Sequence, residues 1–87
     1  MIRNNQFIKR KIGAQYVIVA LGEATRRFTG MITVNETGSF IWDLLEHSCT
    51  IEELVRALTD RYEIDADTAM RDVISFLEQL KSVGAVN

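Results

Sequence analysis

The sequence predicts an α+β domain of winged helix-turn-helix type, in which a three-stranded antiparallel sheet is followed by three helices. The first third of the chain is rich in β-branched residues and is divided by glycine-containing turns. Two helix starts, at Asn35 and Thr50, then lie about fifteen residues apart. A third amphipathic segment runs from about Asp65 to Val83. This order of strands and then helices, with a short turn between the first two helices, defines the predicted class.

The length of the chain limits what it can contain. Its 87 residues are enough for one domain, spanning residues 1–87, and too few for a second core. A domain of this size buries only about 60–65% of the surface that its unfolded chain exposes. We therefore expect modest stability and no deep, enclosed catalytic cavity.

The apolar segments predict a cytoplasmic protein without a membrane association. The longest apolar run, residues 16–21, is far too short to span a bilayer. Residues 1–11 lack the apolar core of a signal peptide.

The three predicted strands differ in composition. Residues 7–12 contain three consecutive cationic side chains with apolar side chains on either side. A charged strand of this kind is typical of a sheet edge. Residues 16–21 are rich in β-branched side chains and predict a buried strand. A polar connection bounded by glycines, residues 22–30, leads to a third and short strand at residues 31–34.

The first two helices have clear starting signals. Asn35 is an N-cap residue, and Glu36 places a negative charge in the first turn, where it complements the helix dipole. Trp42 falls just outside the apolar face of this helix and is expected to be half buried. The second helix begins with a capping box, in which the side chains of Thr50 and Glu53 each accept a bond from the other's amide.

The third helix is predicted to begin near Asp65 or Asp67 and to end at Gly84, a C′ glycine. Met70 and Ile74 lie beside its main apolar stripe rather than within it. The stripe consists of apolar side chains at helical spacing: Ala69, Val73, Phe76, Leu77, Leu80 and Val83.

No group of residues indicates catalysis or a cofactor. His47 and Cys49 are two residues apart, but a zinc site needs three or four ligands, and the chain has no other histidine or cysteine. A catalytic Cys–His pair would also need a group that orients the histidine, and none is evident. There is no glycine-rich phosphate loop. We therefore expect a protein that is not an enzyme, with no metal and no cofactor.

The charge distribution opposes the usual role of a winged helix, which is DNA binding. The net charge is −2. A recognition helix needs cationic side chains for phosphates and base edges. The third helix instead carries four carboxylates between residues 65 and 80, against the single cation of Arg71. The sequence therefore predicts a winged-helix domain that binds no nucleic acid.

Three motifs, in their order and spacing, resemble a known family. They are VNETGSFIWDLL, TIEELVRALTDRYEID and DVISFLEQLKSVGAV. Together they resemble the PqqD-like family of small peptide chaperones, also called RiPP recognition elements, over about residues 31–86. One departure lies at the turn, where this chain has His47 and Ser48 and many members have a glycine before the second helix.

The resemblance implies a non-catalytic protein of natural product biosynthesis that binds a peptide. The leader region of a ribosomally synthesised precursor peptide is expected to add as a strand to strand 3, in a groove against helix 3. The held precursor is then presented to a maturation enzyme, often a radical SAM enzyme. The alternatives are a winged-helix transcription factor and a general protein–protein adaptor.

The resemblance and the pattern of the chain together predict a peptide-binding site. An exposed strand edge has unpaired amides and carbonyls that can bind an extended peptide by β-augmentation. Lys81 is expected to pair with a leader carboxylate, whereas Met70 and Ile74 either line a pocket or are additional core. The predicted peptide-binding residues are Met31, Ile32, Thr33, Val34, Met70, Val73, Ile74, Leu77 and Lys81.

Overall fold

The structure is a computed structural model that describes residues 1–87. Three strands precede three helices, as predicted, and a short 3₁₀ helix at Gly22–Arg26 lies within the polar connection of residues 22–30. The strands are β1 (Phe7–Ile12), β2 (Gln15–Ala20) and β3 (Met31–Val34). The helices are α1 (Glu36–Leu44), α2 (Ile51–Arg61) and α3 (Ala66–Ser82).

The sheet is antiparallel and has the order β1-β2-β3. A two-residue turn joins β1 to β2, because Ile12 pairs with Gln15. The first turn residue, Gly13, has a φ of 62°, a left-handed conformation that glycine adopts without steric cost. β2 is central, so β1 and β3 each have one unpaired edge.

The core lies between one face of the sheet and the helices. Ile18 and Ile32 are buried on that face, and Leu45, Leu58 and Leu80 are fully buried on the three helices. The predicted stripe of α3 is buried at four of its six positions, while Phe76 and Val83 are only partly buried.

Trp42 is buried, and the prediction that it would be half buried was wrong. Its side chain is only 2% exposed. The N-terminal segment covers it: the guanidinium of Arg3 lies 5.5 Å from the ring centroid and donates a hydrogen bond to the Trp42 carbonyl at 3.1 Å. Arg3 also pairs with Val86 in an isolated β-bridge, so both ends of the chain lie beside this part of the core.

The predicted helix ends are confirmed. The Asn35 side chain accepts a bond from the Gly38 amide at 2.8 Å, and both bonds of the Thr50 capping box are present. Asp65, rather than Asp67, caps α3 by accepting from the Thr68 amide at 2.8 Å. Gly84, with a φ of 80°, follows the end of α3.

Truncation of Leu80 tests the placement of α3. Leu80→Ala removes a fully buried side chain and should lower the free energy of unfolding by about 2–5 kcal/mol. Phe76→Ala should cost less than a fully buried ring would, because the Phe76 side chain is partly exposed. Urea denaturation of both variants measures the difference. A larger loss for Phe76→Ala than for Leu80→Ala would contradict this packing.

The helix caps predict a pH dependence of stability. The hydrogen bond from the Thr50 amide, followed by that from the Thr50 hydroxyl, holds the pKa of Glu53 below its usual range. A carboxylate with a lowered folded pKa stabilises the protein above its unfolded pKa, and that contribution is lost as the pH falls through the folded pKa. The free energy of unfolding should therefore decrease as the pH falls below about 4.

Glu53→Gln isolates this contribution, because glutamine keeps an acceptor oxygen but does not titrate. The variant should lose less stability than the unmodified chain between neutral and acidic pH. Glu52→Gln removes a charge at the adjacent residue, whose side chain caps no amide, and is the matched control. Equal acid sensitivity in Glu53→Gln and the unmodified chain would contradict the assignment.

Candidate functional site

The backbone bonds of the sheet determine which groups β3 leaves free. In an antiparallel pair, residues that exchange hydrogen bonds alternate with residues that do not. The Leu21 amide donates to the Gln6 carbonyl at 2.7 Å, which continues the β1–β2 ladder by one residue pair. By alternation, the odd-numbered residues of β2 bond to β1. The even-numbered Tyr16 and Ile18 therefore direct their backbone groups toward β3.

Met31 and Thr33 carry the free backbone groups of β3. The β3 partners of Tyr16 and Ile18 are Val34 and Ile32, which therefore direct their amides and carbonyls toward β2. The amides and carbonyls of Met31 and Thr33 point the opposite way, and no backbone bond outside the sheet involves either residue. The open edge thus presents two donors and two acceptors at strand spacing.

The side chains of β3 alternate in burial. Ile32 and Val34 are buried in the core, whereas Met31 is 57% exposed and Thr33 is also exposed. The four predicted strand residues are therefore brought together on one edge. Met31 and Thr33 contribute free backbone groups there, and the buried side chains of Ile32 and Val34 hold the strand against the core.

A cavity of about 640 Å³ opens beside the end of β3, and we call it the edge groove. It is lined by residues 14–16 of the hairpin, by Thr33 and Val34, by residues 35–38 at the start of α1 with Ile41, and by one flank of α3. Its apolar lining comes from the following side chains: Ala14, Tyr16, Val34, Ile41 and Phe76.

The flank of α3 that lines the edge groove was missed in the sequence. It consists of four residues at the spacing of one helix face: Asp72, Ser75, Phe76 and Gln79. The sequence pattern predicted an apolar flank, and three of these four residues are polar. The apolar Phe76, at the margin of the predicted stripe, is the one residue of the sequence that pointed to this side.

The five predicted helix residues do not line the edge groove. Val73 and Leu77 are buried within the core. By helix geometry, Met70, Ile74 and Lys81 fall on the other side of the buried stripe from the groove. Ile74 is exposed there, at 38%, and their role as leader contacts stays a prediction.

Gly38 allows α1, β3 and α3 to meet closely beside the groove. A Cβ atom at this position would lie 3.1 Å from Asn35 Oδ1, 3.4 Å from Val34 Cβ and 3.6 Å from Phe76 Cε1. A side chain here would therefore press on both the helix cap and the groove lining.

The charged side chains of the edge groove are both carboxylates, Glu36 and Asp72. Neither takes part in an ion pair, since the two ion pairs of the structure are Lys9 with Asp43 and Arg26 with Glu23. The groove therefore combines an apolar lining with unpaired negative charge.

The structure offers little for metal or thiol chemistry. No group of three or more His, Cys, Asp or Glu side chains is arranged to hold a metal ion. The Cys49 thiol donates to the Leu44 carbonyl at 3.2 Å, close to the end of α1. None of the helices has the length and apolar composition needed to cross a membrane.

An unpaired edge at β3, beside a groove that reaches the third helix, defines a winged-helix domain suited to an extended peptide. The family model described as Coenzyme PQQ synthesis protein D (PqqD) matches residues 15–86, and the chain belongs to this family. The predicted resemblance is thereby confirmed. Members of the family are non-catalytic peptide-binding chaperones, and the chain is not an enzyme.

A solved structure provides a similar fold. It is described as TbiB1 in complex with the TbiA(beta) leader peptide, and its TM-score to this chain is 0.77. The two sequences are 26% identical, and the match covers 100% of this chain and 95% of the other. No curated protein matches the chain at a significant level.

Proposed function

We propose that this chain captures the leader region of a ribosomally synthesised precursor peptide as a fourth strand on β3. It then presents the bound precursor to a maturation enzyme, such as a radical SAM enzyme. The observation that carries the proposal is the set of outward amides and carbonyls of Met31 and Thr33, next to the edge groove. Family membership and the leader-peptide complex of the similar TbiB1 structure support it.

Backbone pairing alone is too weak to hold a leader peptide. Four main-chain hydrogen bonds at about 0.5–1.5 kcal/mol each contribute roughly 2–6 kcal/mol in total. A micromolar complex needs about 8 kcal/mol, and an unstructured peptide also loses entropy when it becomes ordered. Side-chain contacts must therefore supply a substantial part of the affinity.

The edge groove is the surface that supplies these contacts. Side chains of an added strand alternate between the two faces of the sheet. One set lies on the face of Ile32 and Val34, toward the edge groove, and the other set lies beside Met31 and Thr33. Entry of alternate leader residues into the groove would fix the register of the added strand.

The electrostatics of α3 favour a peptide over a nucleic acid. Asp67, Asp72 and Glu78 are exposed on this helix. The only cations on it are Arg71 and Lys81. A phosphate backbone would meet uncompensated carboxylates on the helix that reads DNA in winged-helix proteins.

Replacement of Thr33 tests the strand addition. Thr33→Pro removes the outward amide and leaves a leader carbonyl unpaired, at a cost of about 1–3 kcal/mol. Affinity for a cognate leader segment should fall roughly 5- to 150-fold. Thr33→Val keeps the amide and should bind nearly as well as the unmodified chain.

Isotope-labelled protein titrated with this leader segment gives the measurement. Amide shifts should concentrate on β3, the start of α1 and the groove flank of α3, and dispersed spectra of both variants establish that they remain folded. Equal affinities of folded Thr33→Pro and Thr33→Val, or shifts confined to α2, would mean that the leader binds elsewhere.

Filling the edge groove tests the role of α3. Ser75→Trp places a large ring in the groove and should weaken leader binding strongly, whereas Glu78→Trp adds the same bulk at an exposed position outside the groove lining. Ile74→Asp probes the flank that the sequence predicted and should weaken binding less than Ser75→Trp. If Ile74→Asp weakened leader binding more than Ser75→Trp did, the leader would contact the Met70 and Ile74 side of the helix instead.

A further inference from the structure

We infer that the edge groove selects a lysine or arginine of the leader peptide, whose cationic head lies between Glu36 and Asp72. This inference rests on the proposed function and specifies the chemistry of the leader residue that enters the groove. Charge, lining and the position of the open edge each contribute to it.

The two carboxylates of the groove have no cationic partner. Glu36 and Asp72 reach it from two different helices, α1 and α3. Neither carboxylate accepts a side-chain hydrogen bond or lies within ion-pair distance of a cation. Glu36 is in the first turn of α1, where the helix dipole already favours its charge. Asp72 lies in the interior of α3 without that compensation, so we expect it to contribute more to cation binding.

The cations near the groove do not neutralise these carboxylates. Lys9 Nζ lies 2.7 Å from Asp43 Oδ1 and 2.7 Å from Ser39 Oγ, so its charge is already paired. Lys11 Nζ is 5.9 Å from the centroid of the Tyr16 ring, and the residue is not part of the groove lining. An anionic leader side chain in the groove would face two carboxylates and no free lining cation.

The lining of the groove matches a long cationic side chain. Val34 and Ile41 present apolar surface, against which the aliphatic stem of a lysine or arginine can pack. Lys9 Nζ already lies 4.9 Å from the centroid of the Tyr16 ring, so the Phe76 ring is the aromatic surface of the cavity that remains for packing against this stem. A lysine or arginine side chain can contact both the apolar lining and the two carboxylates, whereas a purely apolar side chain can contact only the lining.

The direction from which the leader arrives limits the selection to one leader position. Thr33 lines the groove and also carries free backbone groups, so a strand paired with it passes along the groove opening. The leader side chain that faces the groove at this point is the one that meets Glu36 and Asp72. The selected residue is therefore a single position of the leader, fixed by the pairing with Thr33.

A displayed library of short random peptides tests the inference. Selection on the unmodified chain should enrich peptides with lysine or arginine at one position and apolar residues two positions away. Selection on the double variant Glu36→Gln with Asp72→Asn should lose this enrichment. The double variant Asp67→Asn with Glu78→Gln removes two carboxylates of α3 that lie outside the groove lining and should retain it.

Synthetic analogues of an enriched peptide quantify the preference. Norleucine in place of the basic residue should weaken binding to the unmodified chain roughly two- to fivefold, the range of an exposed ion pair. Glutamate should weaken it further. Both differences should disappear in the Glu36 and Asp72 double variant, whose thermal unfolding is measured alongside to establish that it is folded.

The outcomes separate this inference from the proposed function. Selected peptides that shift the β3 amides but show no basic preference would overturn the inference and leave strand addition intact. A basic preference that persists in the Glu36 and Asp72 double variant would do the same. Failure of every selected peptide to shift the β3 amides would overturn both.

Discussion

The alternation of backbone hydrogen bonds across the sheet is the constraint on which the site depends. The two-residue turn at Gly13 fixes the pairing of β1 with β2. As a result, the backbone groups of every second residue of β2 point toward β3 and bond to it. This pairing leaves the amides of Met31 and Thr33 free. It also turns the side chains of Ile32 and Val34 into the core. A slip of one residue would turn the buried side chains toward solvent, so burial of the core also holds the open edge of β3 in register.

The two edges of the sheet differ in a way that agrees with this assignment. Unpaired edges invite unwanted association, and proteins oppose it with charge or with short strands. β1 carries the consecutive cations Lys9, Arg10 and Lys11, whereas β3 has no charged residue and only four positions. Charge thus protects one edge, and the other remains open and short. This asymmetry is expected of a domain that pairs with a peptide on β3 alone.

The sequence predicted those features that depend on neighbouring residues. The caps at Asn35, Thr50 and Asp65 were predictable because each bond joins residues three positions apart. The burial of Trp42 was not, because Arg3, 39 residues away, covers it. The groove flank of α3 was not predictable either. The amphipathic pattern of the sequence identifies the buried stripe of the helix. The angle at which the helix crosses the sheet determines which side of that stripe lies beside β3.

In the proposed complex, Phe76 couples the stability of the domain to the binding of the peptide. The ring packs on the core and also lines the edge groove, so that its exposed part remains in contact with water until a ligand covers it. A domain of this size has little stability in reserve. A ligand that binds only the folded chain adds about 2.7 kcal/mol at a concentration of one hundred times its Kd. Capture of a leader peptide on β3 would therefore stabilise the same contacts that form the groove, because the fourth strand covers the open edge and the Phe76 ring together.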